Sequence, residues 1–347
     1  MKSAYVSGLS ADQIVTSFFL VQAKEIRSTQ EGKPYLRLEL SDRTGAIEAR
    51  MWDRFEEAVS EISRDDIVKV QARVVVYRNK PQLSLDKLRL ATPGEIDLAD
   101  YLPHTTADVE KLYEELRGHA SSIGNPWLRK LVASVIEDPS IAPRLKRAPA
   151  AKMMHHAYLG GLLEHVVSLC GLCRIVAAHY GDLDVDLLLA GVILHDIGKL
   201  EELCYERAIA YTTEGQLLGH IVMELETVNR KMDAIADFPQ PLKTVLQHVL
   251  ISHHGQYEFG SPKLPMIREA LVLHYLDDLD SKLGAVRAAL AAAGGEDGWS
   301  AFSPALGRRL LKLEEYLKPA AAAGTAGQGE LGLSLPDSAD PARGGRD

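Results

Sequence analysis

Apolar and polar residues alternate with a period of two through much of residues 1–95 and switch to a helical period beyond Ala107. Residues 35–41 put Leu36, Leu38 and Leu40 on one face and Tyr35, Arg37 and Glu39 on the other, the period of a half-buried strand. Asp42-Arg43-Thr44-Gly45 reads as a turn, and residues 46–52 alternate again with Ile47, Ala49 and Met51 inward, so a hairpin is expected. Residues 55–62 have helical spacing. A long strand follows over 67–77, with Val68, Val70, Ala72, Val74 and Val76 inward, and Arg78-Asn79-Lys80 turns into a last strand through Leu83, Leu85, Leu88 and Leu90. With residues 17–27 as the first strand, the order is three strands, a helix and two strands. This is the order of a small five-stranded OB-type β-barrel, whose strand 2–3 face and adjoining loops commonly bind oligonucleotides.

Residues 91–106 have the Pro, Gly and acidic composition of a connector. Beyond it the spacing predicts helices over 107–121, 126–137, 159–180, 185–199, 217–234, 240–253, 265–291 and 304–317. Asn125 before Pro126 suits the start of the second of these. The segment after Lys318 is rich in Ala, Gly and Pro without an apolar period and is expected to be disordered. The expected fold class is therefore multidomain: an OB-fold domain over 1–95, a linker over 96–106, an all-α helical bundle over 107–317 and a tail over 318–347.

A chain of 347 residues can bury two cores, and 46% hydrophobic with 25% charged residues are ordinary values for a soluble protein. The start, MKSAYVSGLSADQ, lacks an apolar signal core, and no uninterrupted run approaches the ~18 apolar residues of a spanning helix. No membrane partner and a cytoplasmic location are expected. Cys170, Cys173 and Cys204 make no disulfide framework, and the C-x-x-C pair at Cys170 lies mid-helix with no second pair, so core packing is expected for it. The net charge of −9 shifts any attraction for nucleic acid onto local patches or bound cations, since residues 12–95 carry 14 Lys plus Arg against 14 Asp plus Glu. Candidates on the outward face of the barrel are Tyr35, Arg37, Arg50 and Trp52, with Lys69 and Arg73 from the next strand. Rings stack on bases and cations meet phosphates, which gives sequence-tolerant binding of single strands. The alternative is a barrel that serves only for assembly.

The chemistry is concentrated in the helical part, where ten of the twelve histidines lie between His155 and His274. His195-Asp196 ends the apolar run 187–194, a place where polar groups are costly unless paired or metal-bound. His165 lies upstream in another apolar stretch, and His220, His253-His254 and Asp277 follow in or beside helical segments. Imidazoles and carboxylates brought together from several helices can hold one or two Mn, Fe, Zn or Co ions. Gly160-Gly161 and Gly198 allow close backbone approach beside the cluster. Lys199, at i+4 from His195, is expected on the same helix face, available to an anionic phosphate. His104, His119, His179 and His248 are read as ordinary core or surface residues. The set points to metal-dependent phosphoester hydrolysis.

From His155 to Lys282 the order His165, His195-Asp196, His220, His253-His254, Asp277 resembles the HD-superfamily phosphohydrolases. The local wording is narrower. HHAYLGGLLEHV, LHDIGKLEEL, SHHGQYEFGSPKLP and EALVLHYLDDLDSK resemble the YhaM-type 3′-to-5′ exoribonucleases, which are similar also in having an OB-fold before the HD domain. The resemblance implies Mn or a similar divalent ion, a single-stranded 3′ end as substrate (RNA, with DNA open), a 5′-mononucleotide product and possible homo-oligomers. The expected ligand set places His165, His195, Asp196 and Asp277 on one ion, with Asp196 bridging to a second held by His220 and one or both of His253 and His254. Two ions ~3.5–4 Å apart would activate a shared water and steady the leaving 3′ oxygen. Lys199 would neutralise charge growing on the phosphate, and His155 and His156 would contact the terminal nucleotide or assist the leaving group. Asp278 and Asp280 compete with Asp277 for the last ligand position, and the doublet leaves open which histidine binds.

Two rival classes remain. One is an HD-type phosphohydrolase of nucleotides or cyclic dinucleotides, the latter disfavoured because GQYEFGSP replaces a Gly-Tyr-Pro signature. The other is a noncatalytic RNA-binding regulatory protein, disfavoured by the complete ligand set with Lys199.

Overall fold

In the computed structural model, β1 (Ile14–Ser28), β2 (Pro34–Asp42), β3 (Gly45–Met51), β4 (Ile67–Tyr77) and β5 (Lys80–Leu90) close into one barrel in the order β1-β2-β3-β5-β4. A short helix, α1 (Glu56–Glu61), lies between β3 and β4. The structure describes residues 2–318 apart from 79, 93, 153–155, 207, 293–294 and 296. The expectation of a disordered tail falls almost entirely outside the described residues.

Closure follows from the alternation. Leu36, Leu38, Leu40, Ala49, Val68, Val74 and Leu83 are fully buried inside the barrel, and the β2–β3 register sets Arg37 opposite Arg50 on its outer face. β1 departs from simple alternation, with Ser17 to Val21 all buried. Its inner side chains fill the barrel, while Phe18 and Leu20 on the outer side pack with Ile67, Tyr101, Leu102 and Leu159. Val76, expected inward, is 56% exposed because β4 runs past the end of the core at its far end. Lys2 is buried against Asp42 at 3.0 Å and over the ring of Phe19, and Ala4, Val6 and Leu9 pack against the same cluster, so the N-terminal segment adds to the barrel core.

The helical part comprises α2 (Val109–Ser121), α3 (Pro126–Ile136), α4 (Ala142–Leu145), α5 (Gly161–Tyr180), α6 (Val185–Leu194), α7 (Lys199–Glu202), a small hairpin of β6 (Leu203–Cys204) and β7 (Ala210–Tyr211), α8 (Thr213–Leu218), α9 (His220–Asp233), α10 (Gln240–Ser252), α11 (Arg268–Ala291) and α12 (Leu313–Tyr316). Asn125 caps α3 by accepting from the backbone N–H groups of Trp127 and Leu128, with Pro126 at the first position. By length and mean hydropathy α5 could cross a membrane, yet His165, Leu169, Cys170 and Cys173 along it are fully buried in the helical core. It is the central helix of that core, against which α2, α6 and α11 pack.

Three helix expectations need correction. The helix over 185–199 stops at Leu194, and residues 195–198 turn before α7, so Lys199 does not share a continuous helix face with His195. The reason is packing: a Cβ on Gly198 would lie 2.1 Å from the carbonyl oxygen of His220, so α9 presses directly onto this turn. The segment 217–234 is two helices divided at Gly219. Most of 304–317 is not helical: Ser303–Arg308 and Trp299–Leu311 form isolated bridges, leaving only α12.

The barrel and the helices are tied together. Leu159 pairs with His104 in a parallel bridge, its N–H donates to the Pro103 carbonyl at 2.9 Å, and Thr105 Oγ1 donates to Glu164 Oε2 at 2.5 Å.

Candidate metal centre

The centre is built from helix ends. α5 brings His165 from its first turns, the turn after α6 brings His195 and Asp196, α9 opens with His220, α10 ends at His253-His254, and α11 brings Asp277 and Asp280 from its middle. Carbonyl groups in the last turns of α6 and α10 orient two of the imidazoles. His195 Nδ1 lies 2.8 Å from the Val192 oxygen and His253 Nδ1 2.5 Å from the Leu250 oxygen. His254 Nδ1 lies 2.8 Å from the Phe259 oxygen. A carbonyl can only accept, so in each ring Nδ1 carries the proton and Nε2 keeps its lone pair.

In the other two rings a carboxylate accepts from Nδ1. His220 Nδ1 is 3.1 Å from Glu202 Oε1, which also accepts the His220 backbone N–H, and His165 Nδ1 is 2.8 Å from Asp280 Oδ2. Asp280 is held in turn by Ser168 Oγ at 3.0 Å and His156 Nε2 at 3.1 Å. Five rings therefore turn the same nitrogen inward, the arrangement in which a carboxylate or carbonyl behind each imidazole sets the tautomer of a metal ligand.

Inside the ring of histidines the donors converge on Asp196. Its Oδ2 lies 3.3 Å from His195 Nε2 and 3.8 Å from His165 Nε2, while Oδ1 lies 3.7 Å from His220 Nε2. Asp277 Oδ1 stands 3.2 Å from His165 Nε2 and 3.9 Å from His195 Nε2. Ligand atoms of His165, His195 and Asp277 lie within 4.8 Å of one another, as do those of His220, His253 and His254. Asp196 sits between the two groups, one oxygen toward each. Nε2 of His195, His220 and His253 is buried with no hydrogen-bond partner among the described residues. An unmade hydrogen bond on a buried polar atom costs about 1–3 kcal/mol, so the fold retains here what a cation would repay. Buried imidazole lone pairs with carboxylates suit a divalent transition ion, and the donor set does not choose among Mn, Fe, Co and Zn.

Charge is distributed accordingly. Burial pulls the Asp196 carboxyl up, but Lys199 and His195 outweigh it and hold Asp196 well below the usual carboxylate range. Lys199 Nζ is 2.7 Å from Asp196 Oδ2, and this carboxylate overcomes burial to keep the ammonium protonated. Burial also opposes the charge on His165, yet Asp277 and Asp280 on its two nitrogens raise it to about 9. Burial pushes His253 and His254 down, helped by neighbouring imidazoles.

The structure thus brings together His165, His195, Asp196, Lys199, His220, His253, His254 and Asp277. Asp277 and Asp280 do not share one side of the cage but grip opposite nitrogens of His165, which separates the two competitors: Asp277 faces inward and Asp280 lies behind the ring. His156 is drawn to the same network from outside, with Nδ1 on the Tyr158 hydroxyl at 2.7 Å and Nε2 on Asp280. His155 lies outside the described residues. Sequence reasoning missed Glu202, visible only as the end of LHDIGKLEE, and Glu224, one helical turn after His220. Glu224 is fully buried, neither oxygen has a hydrogen-bond partner among the described residues, and burial with the nearby Asp196 pushes its carboxyl well up, which disfavours its charged form.

The six barrel candidates do not form one open patch. Tyr35 is only 9% exposed, stacked beneath Trp52 with ring centroids 4.7 Å apart. Arg37 and Arg50 share Glu48 at 2.9 and 2.7 Å, Lys69 lies 3.5 Å from Glu95, and Arg73 is exposed. Tyr77, not singled out by sequence, is exposed beside Arg50 at 5.4 Å.

Comparison with known proteins agrees with this geometry. The family model for the HD domain matches residues 162–282, and that for the OB-fold nucleic acid binding domain matches residues 21–91. The chain joins an OB-fold domain to an HD domain. Among solved structures it is similar to a replication protein A domain from Methanococcus maripaludis (23% identity, 25% of this chain, 92% of that one, TM-score 0.22). It is also similar to the single-stranded DNA binding protein from Thermus aquaticus (23% identity, 24% of this chain, 42% of that one, TM-score 0.22). The HD match spans the segment from α5 to α11 that supplies every ligand candidate of the cage. HD domains form a superfamily of metal-dependent phosphohydrolases, and the His and Asp clusters described above could hold a divalent cation.

Proposed function

We propose that the protein is a metal-dependent 3′-to-5′ exonuclease that shortens single-stranded RNA, with DNA as a second substrate, and releases nucleoside 5′-monophosphates. The observation that carries the reading is the set of buried, inward-facing Nε2 atoms around Asp196, in a chain that also holds an OB-fold domain. His165, His195, Asp196 and Asp277 would hold one cation, and Asp196 with His220, His253 and His254 a second. Divalent cations bound there would make water a nucleophile near neutral pH and stabilise charge on the phosphoryl and leaving oxygens.

The residues of the chain do the rest. Asp280 and Glu202 hold the His165 and His220 rings by their Nδ1 atoms, which leaves Nε2 of each facing the cage. Lys199, protonated beside Asp196, brings a positive charge to the edge of the site where phosphate oxygens gather charge. The barrel would grip the strand behind its 3′ end through Trp52, Tyr77 and the arginines of β2 and β3.

Incubation of the Mn-loaded protein with 5′-labelled single-stranded RNA, single-stranded DNA and free nucleotides tests this reading. A ladder shortening from the 3′ end with mononucleotide product is expected. Hydrolysis of mononucleotides alone, or no hydrolysis of any of the three, would overturn it.

A further inference from the structure

A phosphate looks the same at every linkage, so a metal cage by itself cannot seat the terminal nucleotide. Something beside it must take the base. Directly after His254 the chain makes a turn through Tyr257 and Phe259 whose backbone is welded to the cage. The Phe259 carbonyl accepts the His254 Nδ1 proton, Gln256 N–H donates to the His254 carbonyl at 3.0 Å, and Ser261 Oγ bonds the carbonyls of Ile251 and Lys263 at 3.1 and 2.6 Å. Gly255 enters the turn with φ of +75°, and a Cβ there would lie 2.3 Å from the His274 ring. The backbone is fixed, yet the two aromatic side chains it carries are 58% and 55% exposed.

Large rings carried into solvent on a fixed backbone give up the burial that normally justifies them. The His254 ring that this turn holds lies against His220, with centroids 5.0 Å apart, and Leu217 and Leu218, just before His220 in the chain, are exposed as well. From Gly255 to Ser261 the only charged residue is Glu258. Over these residues the turn offers ring faces and no cationic side chain.

We infer that Tyr257 and Phe259 form the seat of the 3′-terminal nucleobase, stacking on it while the adjoining phosphodiester enters the cage. The inference rests on the reading of the cage as a nuclease site and deepens it by naming the groups that hold the end of the strand. Because every base has a π-face, such a seat tolerates any sequence.

The test compares oligonucleotides that end in a normal nucleotide with ones whose 3′-terminal nucleotide lacks its base, using the metal-loaded full chain. Anisotropy of 5′-labelled tetranucleotides reads binding, and initial rates read KM and kcat. Base–ring stacking is worth about 1–3 kcal/mol, so Tyr257→Ala with Phe259→Ala should raise Kd and KM for the normal end by roughly 5- to 150-fold. The abasic end should bind wild type and variant alike, metal content should not change, and Phe259→Trp should restore binding. Equal weakening on both ends, or no weakening on either, would overturn the seat. Binding is read independently of cleavage: a protein that cuts no oligonucleotide sinks the exonuclease reading, whereas base-dependent binding lost in the double variant still supports the seat and its absence still sinks it.

Discussion

The barrel and the HD domain treat polar groups in opposite ways. On the barrel, Arg37, Arg50 and Gln82 all converge on Glu48 at 2.7–3.1 Å, partly open to solvent, so each partner has another or can turn to water. In the HD domain, imidazoles and carboxylates are buried with their inner atoms aimed at one another across gaps of 3.2–3.9 Å. Exposed ion pairs are worth about 0–1 kcal/mol each, whereas a buried unsatisfied polar atom costs about 1–3 kcal/mol. The first arrangement can persist without a function, and the second is difficult to explain without one.

Removing Asp196, the carboxylate between the two groups of histidines, breaks the contrast most severely. Asp196→Ala should lower nuclease activity by at least about a thousandfold and reduce bound metal, with the barrel still binding oligonucleotides. Unchanged activity and metal content by elemental analysis would exclude the cage as the active site. The next effect is on stability. His165 is held at about 9 in the metal-free protein against about 6.5 when unfolded, so its contribution is complete below pH 6.5 and is lost as pH rises toward 9. The raised Glu224 carboxyl acts in the same direction, and the depressed His253 and His254 act only below pH 6.5. The metal-free protein should therefore lose up to about 3 kcal/mol between pH 6.5 and 9, read as a falling Tm, while metal affinity rises over the same interval as His165 gives up its proton.

Asp280→Asn tests the outer layer of the cage. Loss of the carboxylate behind His165 should weaken metal binding about 10- to 100-fold without abolishing it, measured by competition with a chelator. Asp277→Ala should cost more than Asp280→Asn, and the reverse order would exchange their roles. The smallest effect lies on the barrel. Glu48→Gln should change stability by less than about 1 kcal/mol and, by freeing Arg37 and Arg50, tighten oligonucleotide binding at low salt.

Legibility followed the same division. Strands of the barrel could be read because alternation is dictated one residue at a time: Leu36, Leu38 and Leu40 have no other way to leave water. Where it misled, a third body intervened. Trp52 covers Tyr35, and the segment around Tyr101 and Leu102 covers the outer side of β1, contacts that no local period encodes. In the helical part, the apolar run 187–194 followed by His-Asp was conspicuous, but the helix end at Leu194 depended on α9 pressing against Gly198. Asp277 and Asp280 are three residues apart on one helix, and spacing could not separate them; the orientation of the His165 ring did.

By itself the order of residues determined the two architectures and the inventory of candidate ligands, because burial periods and ligand chemistry are properties of single segments. Only the tertiary structure decided which nitrogen of each histidine faces inward, which carboxylate stands in the cage and which behind it, and that Lys199 meets Asp196. Those outcomes depend on angles and distances of a few ångströms between segments up to 124 positions apart, as between His156 and Asp280, and such distances come into being only when the helices pack.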